Sequence, residues 1–330
     1  MAELEIMIEH RDTGKYYFPM VEEGVKWQTD REGVPGKATF KIINDGKVKV
    51  TEGDAVRITY GKAKVFFGFV FERNFDTSGE IDITAYDQLR YLTNKDTYQY
   101  KNKTASQVIK MLASDFSLKI GKNSIADTKY VIKKRTEQNM SLFDIIGNAL
   151  DITMLNTDQM YVLYSDFDKL TLKNLADMYV KDGNGYFVVT GETLTDYTYK
   201  TSIDKDVYNQ IKLEKDDKDT GRVVFYPAYD TKNINKWGVL QYFEKLQDGE
   251  NGANKAKALL KLYNEKTHTL ELKNVKGNVK VRAGSLICVS MKVGDIKINN
   301  PMLVEKAVHT WESSNYRMDL IVRGGMINGA

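Results

Sequence analysis

At 330 residues the chain is long enough for two or three domains with cores of their own. Its 48 basic and 45 acidic residues leave a net charge of +3, too balanced for a bulk nucleic-acid binder, which would carry a clear basic excess. The single cysteine, Cys288, cannot form an internal disulfide and gives no sign of an oxidising compartment, and no run approaches the roughly 18 apolar residues of a membrane span.

The N-terminal stretch Glu3-Leu4-Glu5-Ile6-Met7-Ile8-Glu9-His10 alternates like a strand, and its acidic residues interrupt the apolar core that a signal peptide needs. The expectation is a soluble protein made in the cytoplasm, without membrane insertion. Tyr16-Tyr17-Phe18 before Pro19 reads as a short edge strand, and Val25–Thr29 and Ala38–Ile43 as two more, separated by the turn-rich Arg31–Gly36. Three further strands follow at Ala55–Tyr60, Val65–Phe71 and Glu80–Tyr86, each set off by a Gly-bearing turn. The middle one is apolar on both sides. Val65, Phe67, Phe69 and Phe71 share one face, while Phe66 and Val70 lie on the other. Such a strand needs cover on both faces, the second from another domain or subunit. About seven short strands with no helix between them predict a small antiparallel β-barrel over residues 1–94, closed by a helical turn at Asp87–Leu92.

Thr104-Ala105-Ser106-Gln107 has the spacing of a capping box, and Ala105, Val108, Ile109, Leu112 and Phe116 form the apolar face of a helix behind it. Ser141 opens a second helix striped with Leu142, Ile145, Ile146 and Ala149, with Met140 placed to staple onto Ile145. With strands at Tyr130–Ile132, Met160–Tyr164 and Leu170–Leu172, residues 95–195 read as an α+β domain. From Tyr197 the β texture returns, with strands at Val207–Leu213 and Arg222–Tyr226 around a charged hairpin tip at Glu214–Gly221. Residues 196–330 are expected to form a second β-barrel, interrupted over 226–265 by an excursion whose helix is capped by Asn251. The tail from Arg323 is flexible by composition.

The second half echoes the first. Ala283–Val289 corresponds to Glu52–Ile58, Pro301–Val308 to the Phe-rich strand, and Tyr316–Val322 to Glu80–Tyr86. The overall expectation is a mainly β protein of two related small antiparallel β-barrels with an α+β insert.

Sequence support for chemistry is thin. His10, His268 and His309 are far apart and show no zinc-ligand spacing. There is no nucleophile elbow and no phosphate loop, and Asp166 with Asp168 reads as a hairpin turn rather than a glycosidase pair. No catalytic residue, metal or cofactor is assigned. Lys133, Lys134 and Arg135, next to Lys129 and Tyr130, form the densest basic patch; it reads first as a solvated strand edge, and as the alternative these residues are candidates to line a channel. The candidate interface residues are Phe66, Val70, Trp27 and Trp237.

One family does fit. Val25-Lys26-Trp27 before Arg31–Gly36, then Glu52-Gly53-Asp54, Phe67–Val70 and Ile83–Leu92, followed by the Thr104 and Ser141 helices and Lys236-Trp237-Gly238, resemble contractile-tail baseplate hub proteins of the XkdQ/YqbQ type. The likeness runs over nearly the whole chain and rests on the order of weak motifs. It is similar also to the two-barrel module of type VI secretion spikes. The resemblance implies a homotrimer whose six similar units form a pseudo-six-fold ring. Its implied partners are a tail tube protein on one side, a spike protein on the other, and further baseplate proteins. DNA, where carried, would pass through the middle. The particle could be a phage, an R-type bacteriocin or another contractile injection system. The competing expectations are a tail-associated cell-wall hydrolase and a glycan-binding tail module.

Overall fold

The computed structural model describes residues 3–324 except 76, 78, 217–220, 248, 249, 295, 313 and 314. The expected flexible tail beyond Gly324 and the charged tip at 217–220 lie outside the described residues.

The first seven strands are β1 (Leu4–His10), β2 (Lys15–Tyr17), β3 (Val25–Asp30), β4 (Lys37–Ile43), β5 (Ala55–Tyr60), β6 (Ala63–Phe75) and β7 (Glu80–Tyr86). They pair in the order β3-β4-β7-β6-β5-β1-β2. Period-2 alternation fixes what each buries: β7 sends Ile81, Ile83 and Ala85 inward, and β6 sends Phe66 and Val70. A 3-10 turn at Gln88–Thr93 follows, with the Asp87 carboxylate accepting from the Leu89 amide.

Next come β8 (Lys95–Thr104), α1 (Ala105–Asp115), β9 (Ile120–Ile125), β10 (Val131–Ser141), α2 (Leu142–Thr157), β11 (Tyr161–Asp166) and β12 (Lys169–Asn174). Thr104 and Gln107 close the expected capping box on α1. The stripes of α1 and α2 pack together with Leu170 and Leu172 in one apolar cluster. β8 and β10 form a two-stranded ladder, and β9, β12 and β11 a three-stranded sheet. Asp166 and Asp168 flank the β11–β12 hairpin, whose Phe167 takes a left-handed φ of 55°.

The chain continues through β13 (Lys181–Asp182), β14 (Gly185–Tyr186), β15 (Val188–Thr190) and β16 (Asp196–Ser202). It then builds a separate three-stranded sheet from β17 (Gln210–Asp216), β18 (Val223–Tyr229) and β19 (Gln241–Lys245), accompanied by α3 (Thr231–Trp237) and α4 (Gly252–Tyr263). The excursion from the large sheet thus includes β17 and β18 and begins earlier than residue 226. The last strands are β20 (Thr267–Lys276), β21 (Leu286–Val293), β22 (Ile296–Glu312) and β23 (Asn315–Gly324).

The two halves share a topology. β16-β20-β23-β22-β21 repeats the order β3-β4-β7-β6-β5, antiparallel at each step. Finer details recur too. The Gly53 amide donates to Val70 O and the Val70 amide to Asp54 O; Gly284, Val304 and Ser285 do the same. Both central strands bulge just after that valine.

The expected closed barrels are not what strand pairing makes. β3 pairs with β22, so both halves belong to one thirteen-stranded sheet whose main path runs from β2 to β16 without returning on itself. The nearest approach to closure in the first half is a single bridge between Val21 and Ile42. An edge strand here is capped by the other half instead of by its own partner.

Candidate assembly interface

The β3–β22 seam matches Val25–Asp30 against Trp311–Lys306 in an unbroken antiparallel register, with Trp27 opposite His309. Aromatic rings cement it. Trp27 stacks on His309 across it at 4.6 Å between centroids; Trp311 and Tyr316, both of the second half, stack on each other at 4.6 Å and meet Tyr60 of the first at 6.0 and 5.1 Å. The His309 Nε2–H donates to Val281 O at 2.9 Å, while the Tyr316 hydroxyl meets Nδ1 at 2.7 Å. Complete burial pushes the His309 pKa down to about 3, so the ring sits neutral in the seam. Arg31 extends the junction, its Nε donating to Glu305 at 2.6 Å.

Because the halves repeat, each strand of the seam has a counterpart. The pairings of β4 and β20 with β7 and β23 make Trp27 equivalent to Tyr199, and Gln28 to Lys200. Counting from the shared bulge makes Phe75 equivalent to His309, and Arg73 to Ala307. The two counterpart edges are unpaired among the described residues. β16 pairs only with β20, and β6 beyond Val70 pairs only with β7. Phe75 is 59% exposed and Tyr197 36% exposed.

The outer face of β6 is covered within the chain. Phe67 and Phe69 meet edge-on, Phe67 contacts Phe167 of the β11–β12 turn, and Phe69 and Phe71 lean on Tyr91. The guanidiniums of Arg57, Arg11 and Arg90 lie 5.2, 5.5 and 5.4 Å from the rings of Phe67, Phe69 and Phe71.

Phe66, Val70 and Trp27 are buried in the chain's own core at 2%, 1% and 4% exposure. They shape the seam and the strands behind it, and their side chains are not at the surface. Trp237 is half-buried at the end of α3, away from these three. Lys133 and Lys134 are exposed on β10, and Lys134 lies directly opposite Lys101. Arg135 is buried, its Nε 3.0 Å from Glu137 and its Nη1 3.3 Å from Glu250, so its charge is spent inside the protein. The three histidines stay apart, His10 against Asp54 and His268 against Tyr199. Among the described residues no group of three His, Cys, Asp or Glu side chains could hold a metal ion. Among the same residues no helix is long and apolar enough to cross a membrane.

This fold is that of phage tail proteins. The 43 kDa tail protein of prophage MuSo2 from Shewanella oneidensis aligns with a TM-score of 0.66, covering 96% of this chain and 98% of that one at 14% identity. The chain belongs to the YQBQ-like family, which matches residues 25–323. It is similar to YqbQ of Bacillus subtilis strain 168, at 33% identity over 317 residues and 93% of each chain. It is also similar to XkdQ of the phage-like element PBSX from the same strain, at 31% identity over 324 residues, 95% of this chain and 96% of that one.

Proposed function

We propose that the chain is a non-enzymatic baseplate hub, three copies of which close into a pseudo-six-fold ring between a tail tube and a central spike. The halves at residues 1–94 and 196–330 would supply the six similar units, with 95–195 as the α+β part between them. The observation that carries this reading is the β3–β22 seam, since its repeat-equivalent strands β16 and β6 are left with open edges. One copy's β16 then pairs onto the next copy's β6 in the register of the seam: Tyr199 opposite Phe75, Lys200 opposite Asn74, Thr201 opposite Arg73. A contact between two different patches on successive copies is heterologous, and it closes into a ring when the rotation permits. Lys133 and Lys134 are candidates for a weakly basic surface along the path of any DNA. Tube, spike and other baseplate proteins are the partners on this reading, and the assembled tail is its location.

Cysteine cross-linking tests the register. In a Cys288→Ser background, Tyr199→Cys with Phe75→Cys should give covalent dimers and trimers on oxidation, since facing residues in an antiparallel pair have Cβ atoms roughly 4.5–5.5 Å apart. Light scattering of the uncross-linked protein should show mass rising with concentration. Products no more abundant than those of either single cysteine, with a monomer mass throughout, would sink the ring.

A further inference from the structure

A cavity of about 400 Å³ opens where the first half, the β11–β12 hairpin and the segment before β21 meet. Among its walls is Arg282, a residue the hub reading does not use. Its guanidinium carbon lies 4.2 Å from the Tyr164 ring centroid and 5.8 Å from that of Trp27. Nη2 donates to Ser165 O at 2.9 Å, and Nε is buried with no acceptor at all. No carboxylate pairs with it among the described residues; Asp87 and Asp166 act on it only through space. The repeat sharpens the oddity. Arg282 stands where the first half has Thr51, and Ser285 where it has Asp54, whose carboxylate meets His10. The second half therefore has gained a cation in the same turn from which it has lost the acid.

A largely buried guanidinium with no carboxylate in contact is expensive, and desolvation accordingly lowers its pKa. Four exposed lysines, Lys64, Lys173, Lys181 and Lys280, line the same cavity, and none has an ion-pair partner among the described residues. Such a site calls for an anion. Asp166 and Asp177 also stand at its margin, where they would repel a polyanionic backbone yet tolerate one isolated negative group. Tyr164, Tyr179 and Phe167 give the rest of the wall an aromatic character suited to peptide.

We infer that this cavity is a docking site for a single carboxylate carried on an extended segment of another protein, received by the fork of Arg282. The source is either an acidic side chain or a chain terminus, and both present the planar geometry that a guanidinium matches with two parallel hydrogen bonds. The site does not depend on ring closure.

Calorimetric titration of the full chain tests it with three short neutral-background peptides and inorganic phosphate. One peptide carries a single Glu between blocked ends, one a free C-terminal carboxylate, and one no charge. At least one carboxylate peptide should bind and the uncharged one should not. Arg282→Gln should weaken binding tenfold or more. Should that variant fail to fold, Lys173→Gln with Lys280→Gln, both exposed, should weaken it several-fold and flatten its salt dependence. Arg282→Met without peptide should melt no lower than the parent, whereas an arginine serving structure would be missed. Binding of phosphate alone, binding of none up to millimolar concentration, or carboxylate binding indifferent to these substitutions would each overturn the assignment.

Discussion

Gly53 and Gly284 occupy the same place in the two halves, with φ of 92° and 86°, yet alanine should not cost the same at both. At Gly53 an added Cβ meets nothing within 4 Å. The cost there is the left-handed backbone alone, about 1–2 kcal/mol. At Gly284 the added carbon overlaps Cγ1 of Val162, with Cγ2 and Cβ of the same side chain at 3.1 and 3.2 Å. Val162 belongs to β11, in a different sheet, and is 4% exposed, so it has little room to retreat. Overpacking of this kind adds about 1–3 kcal/mol. Gly284→Ala should therefore lose about 2–5 kcal/mol in all. For a chain of this length the unfolding entropy scales to about 0.7 kcal/mol per degree, so each kcal/mol moves the midpoint by roughly 1.5 °C.

Thermal melts of four variants read this out: Gly53→Ala, Gly284→Ala, Val162→Ala, and the last two combined. Val162→Ala alone gives up buried methyl groups and costs roughly 2 kcal/mol. In the combination it also clears the overlap, so the pair should cost about 1–3 kcal/mol less than the sum of the singles. Equal losses at Gly53 and Gly284, or strict additivity of the pair, would show that the inter-sheet contact is not what holds Gly284.

Two further outcomes follow from buried charge. Burial raises the Asp87 pKa from 3.8 to about 7, so its contribution is fully present below pH 3.8 and is lost as pH rises through 7. His309 is depressed from 6.5 to about 3, so its contribution is present above pH 6.5 and fades as pH falls toward 3. Melting temperature against pH should therefore slope in Asp87→Asn less than in the parent between pH 4 and 7, and in His309→Gln less between pH 6 and 4; unchanged slopes would contradict the assignment. Arg135→Ala strands the Glu137 carboxylate, 1% exposed and otherwise held by Asn148, and should cost roughly 3–5 kcal/mol by chemical denaturation, while Lys134→Ala should stay within about 0.5 kcal/mol.

Elements that bury a stripe were legible in the sequence, because apolar spacing and caps report burial directly. α1 with its Thr104–Gln107 box and the meander β5-β6-β7 are of this kind. α3 was not legible: it buries no residue completely, so no stripe marks it, and only the Asp230 carboxylate bound to the Lys232 amide announces its start. The β8–β10 ladder was largely hidden for a related reason, since β8 reads Lys-Asp-Thr-Tyr-Gln-Tyr-Lys-Asn-Lys-Thr and buries only Tyr100 and Thr104. On β6 alternation separated Phe66 and Val70 from Phe67, Phe69 and Phe71 but could not say which face looks inward, both being apolar; it misplaced Val65, which a bulge opposite Ile58 and Thr59 turns into the core beside Phe66. The arginines that cover Phe67, Phe69 and Phe71 decide it, and they come from three other places in the chain. Arg135 looked like part of a basic patch because Glu250, one of its two partners, lies 115 residues away.

The seam itself was beyond any reading of local pattern, since β3 and β22 each alternate as an ordinary strand would. What could have exposed it is the repeat aligned on Gly53 and Gly284, which leaves each half with one strand extending past its meander. Within the chain that extension is held by a chelate effect: β22 reaches β3 already tethered through β23 and the rest of the sheet. Between copies the same ladder has no tether. Its few backbone bonds, at about 1 kcal/mol each, face an association cost of at least about 4 kcal/mol. The rings at Phe75, Tyr197 and Tyr199 must therefore carry the balance. On the ring reading, Phe75→Ser should disperse the assembly without lowering the melting temperature of the single chain, because a side chain 59% exposed has little of the monomer's core to lose. An assembly indifferent to that change would place the contact elsewhere.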